Sequence, residues 1–141
     1  MTNKEKMTLQ RLKEIYFPPG VRRKPQEEEH LMQCACVRWF RYSHPDMAEL
    51  LFAVPNGGRR DKVSGAKLKM EGVIAGVSDM LLLLPNKKSH GLCIEMKTPA
   101  GRQSESQKLW QFSVEAVGYQ YSVCRSVEDF IETVEEYLRN I

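Results

Sequence analysis

The stretch Gly76-Val77-Ser78-Asp79-Met80-Leu81-Leu82-Leu83-Leu84, followed across a polar loop by Gly91-Leu92-Cys93-Ile94-Glu95-Met96-Lys97, decides how this chain folds. Each half holds a short apolar run behind a glycine, the pattern of a strand buried in a sheet. Side chains alternate along a strand, so Glu95 and Lys97 project to one face while Leu92, Ile94 and Met96 project to the other. Asp79 opens the preceding strand, and Met80 to Leu84 can pair with Leu92 to Met96 as a hairpin across Pro85 to Gly91. A carboxylate and an ammonium thus emerge side by side from a buried sheet, with a second carboxylate nearby. Two carboxylates on a rigid sheet can hold a hard divalent cation through oxygen. That is the skeleton of a metal-dependent phosphodiesterase.

Outward from this hairpin the chain reads as helices and strands in alternation. Residues 2 to 17 form an amphipathic helix, expected at the periphery and ended by Pro18-Pro19-Gly20. A basic linker follows, and residues 1–25 are set apart from a domain over 26–141. Glu27 to Tyr42 is a longer helix with Leu31, Cys34, Ala35, Val37 and Trp39 on its apolar surface, stopped at Ser43-His44-Pro45-Asp46. Leu50 to Val54 is a short strand, Pro55-Asn56-Gly57-Gly58 a turn, and Arg60 to Met70 a basic helix. Beyond the hairpin, Ser104 to Val117 is helical, with Leu109, Trp110, Phe112, Ser113 and Ala116 on or near its inner side, and Gly118 ends it. Tyr119 to Cys124 alternates as a strand. Ser126-x-x-Asp129 opens a last helix carrying Val127, Phe130, Ile131, Val134 and Leu138 at helical spacing. The order predicts an α/β fold with a mixed central sheet flanked by helices.

Composition narrows the class. With 141 residues, 42% of them hydrophobic, the chain suits one core. Its longest apolar run, Met80 to Pro85, is far short of the roughly 20 residues a membrane span needs, and Met1 to Lys6 is polar, so a soluble, cytoplasmic protein without a membrane partner is expected. Cys34, Cys36, Cys93 and Cys124 lack zinc-ligand spacing and read as reduced, buried, small hydrophobes. His30, His44 and His90 read as surface or loop residues, and Trp39 and Trp110 as packing residues. The net charge of +3 is modest, but Arg22-Arg23-Lys24, Arg59-Arg60 with Lys62, Lys67 and Lys69, and Lys87-Lys88 gather cations into clusters that suit a polyanion.

Phosphodiester hydrolysis needs neutralised phosphate charge, an activated water and help for the departing oxygen, all of which carboxylate-held metal ions supply. Asp79 and Glu95 are the natural ligands, the carbonyl of Met96 can add an oxygen, and Lys97 can orient the water or stabilise the phosphate as a point charge. Taken singly, a Glu-x-Lys on a strand is more often an ion pair, and an aspartate after glycine a turn cap. Asn56, Arg59, Arg60 and Lys62 combine a flexible turn with cations that could clamp a DNA backbone. Arg102 and Ser104 lie before a helix, where backbone amides favour a phosphate.

Asp79 with Glu95-Met96-Lys97 resembles the split acid and Glu-x-Lys pair of the PD-(D/E)xK nuclease superfamily. Glu29-x-x-x-Gln33, Val54-Pro55-Asn56-Gly57-Gly58, Gly76-Val77-Ser78-Asp79, and Gly101 to Gln107 with Ser104 and Gln107, sharpen the resemblance to the VRR-NUC family, from about Glu27 to Cys124. The resemblance implies a restriction-endonuclease-like αβββαβ core and Mg²⁺ or Mn²⁺ as cofactor. It implies Asp79, Glu95 and Lys97 as the central triad, Glu29 and Gln107 around it, Glu29 as a further metal ligand, and Gln33 and Ser78 in support. A domain of this size is similar to the stand-alone family members of phages and bacteria, which implies homodimeric endonucleolytic cleavage of branched DNA such as Holliday junctions.

Overall fold

The computed structural model describes residues 3–55 and 62–141, so Asn56, Arg59 and Arg60 lie outside the described residues. Four strands make one mixed sheet in the spatial order β1 (Leu51–Ala53), β2 (Met80–Leu82), β3 (Leu92–Met96), β4 (Gln120–Cys124). β1 and β2 are antiparallel, as are β2 and β3, and β3 runs parallel to β4. The expected hairpin is present, with Met80 opposite Ile94 and Leu82 opposite Leu92. It stops at Leu82 rather than Leu84. Pro85 has no N–H for a ladder, and the Leu84 carbonyl instead accepts from the Tyr137 hydroxyl at 2.6 Å.

Period-two alternation gives the sheet two unlike faces. Leu51, Met80, Leu82, Leu92, Ile94, Met96 and Cys124 join the hydrophobic core with two helices, α2 (Pro25–Ser43) and α5 (Val127–Arg139). α2 contributes Met32, Ala35, Cys36, Trp39 and Phe40, and α5 contributes Val127, Phe130, Ile131, Val134 and Tyr137. Trp39 meets Phe130 edge to face at 6.1 Å between centroids, a geometry favoured by ring quadrupoles. Each such buried aromatic or aliphatic side chain stabilises the fold by about 1.5–3 kcal/mol. The other face carries Cys93 and Glu95 of β3 and Tyr121 of β4. It is covered by α4 (Glu105–Ala116).

Three expectations are corrected. The first helix, α1 (Asn3–Tyr16), is not peripheral: Leu12 is buried in the core, Leu9, Tyr16 and Phe17 pack against it, and Lys13 forms an ion pair with Glu128 of α5. α4 does not turn Leu109 or Phe112 inward, for they are 69% and 74% exposed. Its rotation is set by hydrogen bonds instead, because Gln107 is held at once by the Ser104 cap and by Glu95. That anchor leaves Trp110, Gln111 and Val114 as the half-buried side. Finally, Cys34 is only half-buried, with its Sγ 3.6 Å from His30 Nε2. Cys36, Cys93 and Cys124 are buried free thiols, and burial raises all three, the last two to about 11.

A basic helix, α3 (Lys62–Met70), precedes the return loop to β2. The loop turns at Gly76, with φ +87°, where a Cβ would lie 2.3 Å from the Ser106 carbonyl oxygen. Backbone packs directly on the first turn of α4 there, just ahead of Asp79. Gly72 also has a positive φ, +104°, but open space around it. Replacing Gly72 with alanine should therefore cost about 1 kcal/mol of left-handed strain. Gly76→Ala adds the clash and should cost at least about 2 kcal/mol, lowering the melting midpoint by roughly 6 °C or more in a circular-dichroism melt. Equal midpoints for the two variants would contradict this account of the contact.

Candidate active site

The polar face of the sheet gathers its charge at the β2 and β3 ends. Asp79 precedes β2 and accepts a hydrogen bond on Oδ2 from the Met96 N–H at 2.7 Å. Glu95 lies in β3 and is 2% exposed, with both carboxylate oxygens engaged. Oε1 accepts from Gln107 Nε2 at 2.9 Å, and Oε2 accepts from the Tyr121 hydroxyl at 3.3 Å. The Gln107 carbonyl oxygen meanwhile accepts from the Ser104 N–H at 2.8 Å, and Ser104 Oγ accepts from the Gln107 N–H at 3.2 Å. A capping box thus starts the helix and aims an amide at Glu95.

Tyr121, Gln103 and Gln111 were not anticipated among the site residues. Gln103 Nε2 donates to Gln111 Oε1 at 2.9 Å and to the Tyr121 oxygen at 3.3 Å, which leaves the Tyr121 proton directed at Glu95. Trp110 packs on the Tyr121 ring. Alternation in the last strand puts Tyr121 and Val123 on one face, and parallel pairing with β3 makes that face the one bearing Glu95. The sequence contains the alternation but not the pairing.

The remaining candidates are distributed around this centre. Ser78 is fully buried and donates to the Met80 carbonyl at 3.1 Å, fastening the start of β2. Lys97 follows β3, half-buried, its N–H bonded to the Cys124 carbonyl. Glu29, in the first turns of α2, accepts from the Thr98 N–H at 3.4 Å. Gln33 lines a groove of about 460 Å³ along α2 with Tyr16, His30, Cys34, Arg38 and Arg41. No hydrogen bond joins it to Glu29 among the described residues. Arg102 and Ser104 are exposed ahead of α4, and Lys62 begins α3. Among the described residues no three His, Cys, Asp or Glu side chains form one metal-sized cluster, so Glu29 stands apart from the Asp79 and Glu95 pair.

Burial raises the Glu95 carboxyl to about 8, reinforced by the neighbouring Asp79 charge and a hydrogen bond shared with Asp79, while Lys97 and Tyr121 oppose the shift. Burial likewise pushes the Tyr121 hydroxyl up, so it stays a donor. Two carboxyls close enough to share a proton are a donor set that a hard divalent cation fits, since the cation relieves the repulsion that otherwise retains the proton. The ordinary value for Glu95 is 4.5 and the folded value is higher, so the folded chain binds more protons between them. In chelator, stability should be full below about pH 4.5 and decline as pH rises through about 8, and Glu95→Gln should flatten that decline. Thermal melts across this range check it, and Mn²⁺ should raise the parent's midpoint more at pH 8.5 than at pH 6.

The VRR-NUC domain family matches residues 19–128, a span holding Glu29, Asp79, Glu95, Lys97, Gln107 and Tyr121. No curated protein matches the chain. Among solved structures the fold is similar to that of a VRR_NUC domain protein, with a TM-score of 0.70 at 21% identity over 80% of this chain and 89% of the other. With the family spanning most of its length and the same fold around the acidic pair, the chain belongs to the VRR-NUC family of nuclease domains.

Proposed function

We propose that this nuclease domain is a Mg²⁺- or Mn²⁺-dependent endonuclease that selects branched DNA, such as a four-way junction, and works as a homodimer. The observation that carries the reading is the pairing of buried Glu95 with half-buried Asp79 beside Lys97. A divalent cation bound by the two carboxylates would neutralise the scissile phosphate and activate water. In a strand, the N–H and C=O of one residue point the same way. The Met96 N–H meets Asp79, so its carbonyl is directed to the same side and suits a further oxygen ligand.

The chain's own residues then divide the work. Gln107 and Tyr121 hold the Glu95 oxygens in a fixed plane, so the carboxylate need not reorganise as charge develops. Lys97 orients the attacking water or stabilises the added negative charge on phosphorus. Glu29, tied to the Thr98 amide, serves the same centre through water. Arg102, Ser104 and the α4 N-terminus suit a neighbouring phosphate. Arg59, Arg60 and Lys62 supply cations, and Asn56 an amide, for a DNA arm, and Arg38 and Arg41, in no ion pair among the described residues, extend positive charge along α2. Two such sites related by a two-fold axis suit symmetric nicking of a junction.

Junction, flap, splayed and linear duplexes labelled on each strand test this directly. Paired symmetric nicks confined to the junction, abolished by chelator, are expected, and equal cutting of linear duplex would remove the junction reading. Lys97→Ala should lower kcat by about 10²–10³ with little change in DNA affinity. Parent protein that binds junctions yet leaves them intact in Mg²⁺ and Mn²⁺ would instead mark a binding module.

A further inference from the structure

Among the cations of the described residues, one has contacts unlike the rest. Arg125 lies between the last residue of β4, Cys124, and the Ser126 cap of α5. Its guanidinium crosses to the turn that follows β3, where Nη1 donates to the Gly101 carbonyl at 2.7 Å, the Thr98 carbonyl at 2.9 Å and the Pro99 carbonyl at 3.3 Å. It has no ion pair among the described residues. Its own N–H is fixed by Asp129 Oδ2 at 3.1 Å, which holds the start of the side chain in place.

That turn joins several polar parts of the active site. Lys97 enters it, and Ser104 and Gln107 follow it into α4. Thr98, 7% exposed, gives its N–H to Glu29 and takes the Gly101 N–H on its carbonyl at 3.0 Å. A strand ladder no longer supplies donors to these carbonyls, and a cation is the stronger donor to several at once. Close packing inside the turn adds to the constraint, since a Cβ at Gly101 would lie 3.1 Å from Thr98 Oγ1.

We infer that Arg125 is a positioning residue for the nuclease reaction: by clamping the 98–101 turn it sets Lys97, Glu29 and the start of α4 relative to the Asp79 and Glu95 pair. This rests on the nuclease reading above. An angular error in the turn would misplace Lys97, whose ammonium lies at the end of a long flexible stem, without altering the apolar core on the other face of the sheet.

Arg125→Ala and Arg125→Lys are compared with the parent for kcat, for DNA affinity in Ca²⁺, and for amide exchange at Thr98, Gly101 and Ile94. The alanine variant should lose about 30-fold in kcat with less than about threefold change in affinity, and lysine should recover at least part of the loss. Exchange should accelerate at Thr98 and Gly101 but not at Ile94. An unchanged kcat, a lysine variant no better than alanine, or a general acceleration that includes Ile94 would overturn the assignment. If the parent cuts no DNA, the nuclease reading fails and the reaction role with it, while the exchange data still decide whether Arg125 is a local clamp.

Discussion

Two carboxylates held together on a nearly dry sheet are the constraint to which the polar half of this protein answers. Burial, and the repulsion Asp79 and Glu95 would feel if both were ionised, hold the Glu95 carboxyl up at about 8. Without a cation, the arrangement persists through donors brought from elsewhere: the Met96 amide on Asp79, the Gln107 amide and Tyr121 hydroxyl on Glu95. Each donor is itself anchored, Gln107 by Ser104 and Tyr121 by Gln103 and Trp110. The apolar half supplies the rigidity. Met80, Ile94 and Met96 are pinned between α2 and α5, so the residues alternating with them cannot separate to ease their repulsion.

The division of labour between the two faces explains why α4 is so sparsely buried. A helix normally docks through an apolar stripe. α4 has no fully buried residue, and its position is set by the capping box, by Gln107 on Glu95 and by backbone contact at Gly76. Polar docking of this sort gives less free energy than a core but more directional control, since hydrogen bonds fail at small angular errors where apolar contacts do not.

What the sequence made legible follows the same line. Alternation in Leu92 to Lys97 assigned Glu95 and Lys97 to one face and the core to the other, and the hairpin with Met80 to Leu82 is as expected. The helix cap at Ser126 was equally readable, because that signal is local. Tyr121 and Arg125 were not, since their roles depend on a parallel pairing between segments far apart in the chain. The outward turn of Leu109 and Phe112 was misread because periodicity reports that a helix has an apolar side, not which side a hydrogen bond will draw inward. The burial of α1 depends on Leu12 meeting a core that no residue within the helix announces.

The mixed pairing of the sheet also imposes an order in time. β2 and β3 can close as a hairpin across a short loop, whereas β3 and β4 must wait for a complete helical crossover between them. Loop closure over the longer span is entropically slower. The acidic pair and the Met96 amide are therefore expected to assemble first and the Glu95 donors second, so an early folding species would carry the repulsion of Asp79 and Glu95 before Tyr121 and Gln107 are there to relieve it. Pulse-labelled exchange that protected Ser122 before Ile94 would refute that sequence. On this view the chain passes through a moment when a proton or a divalent cation matters more to its folding than it does to the finished protein.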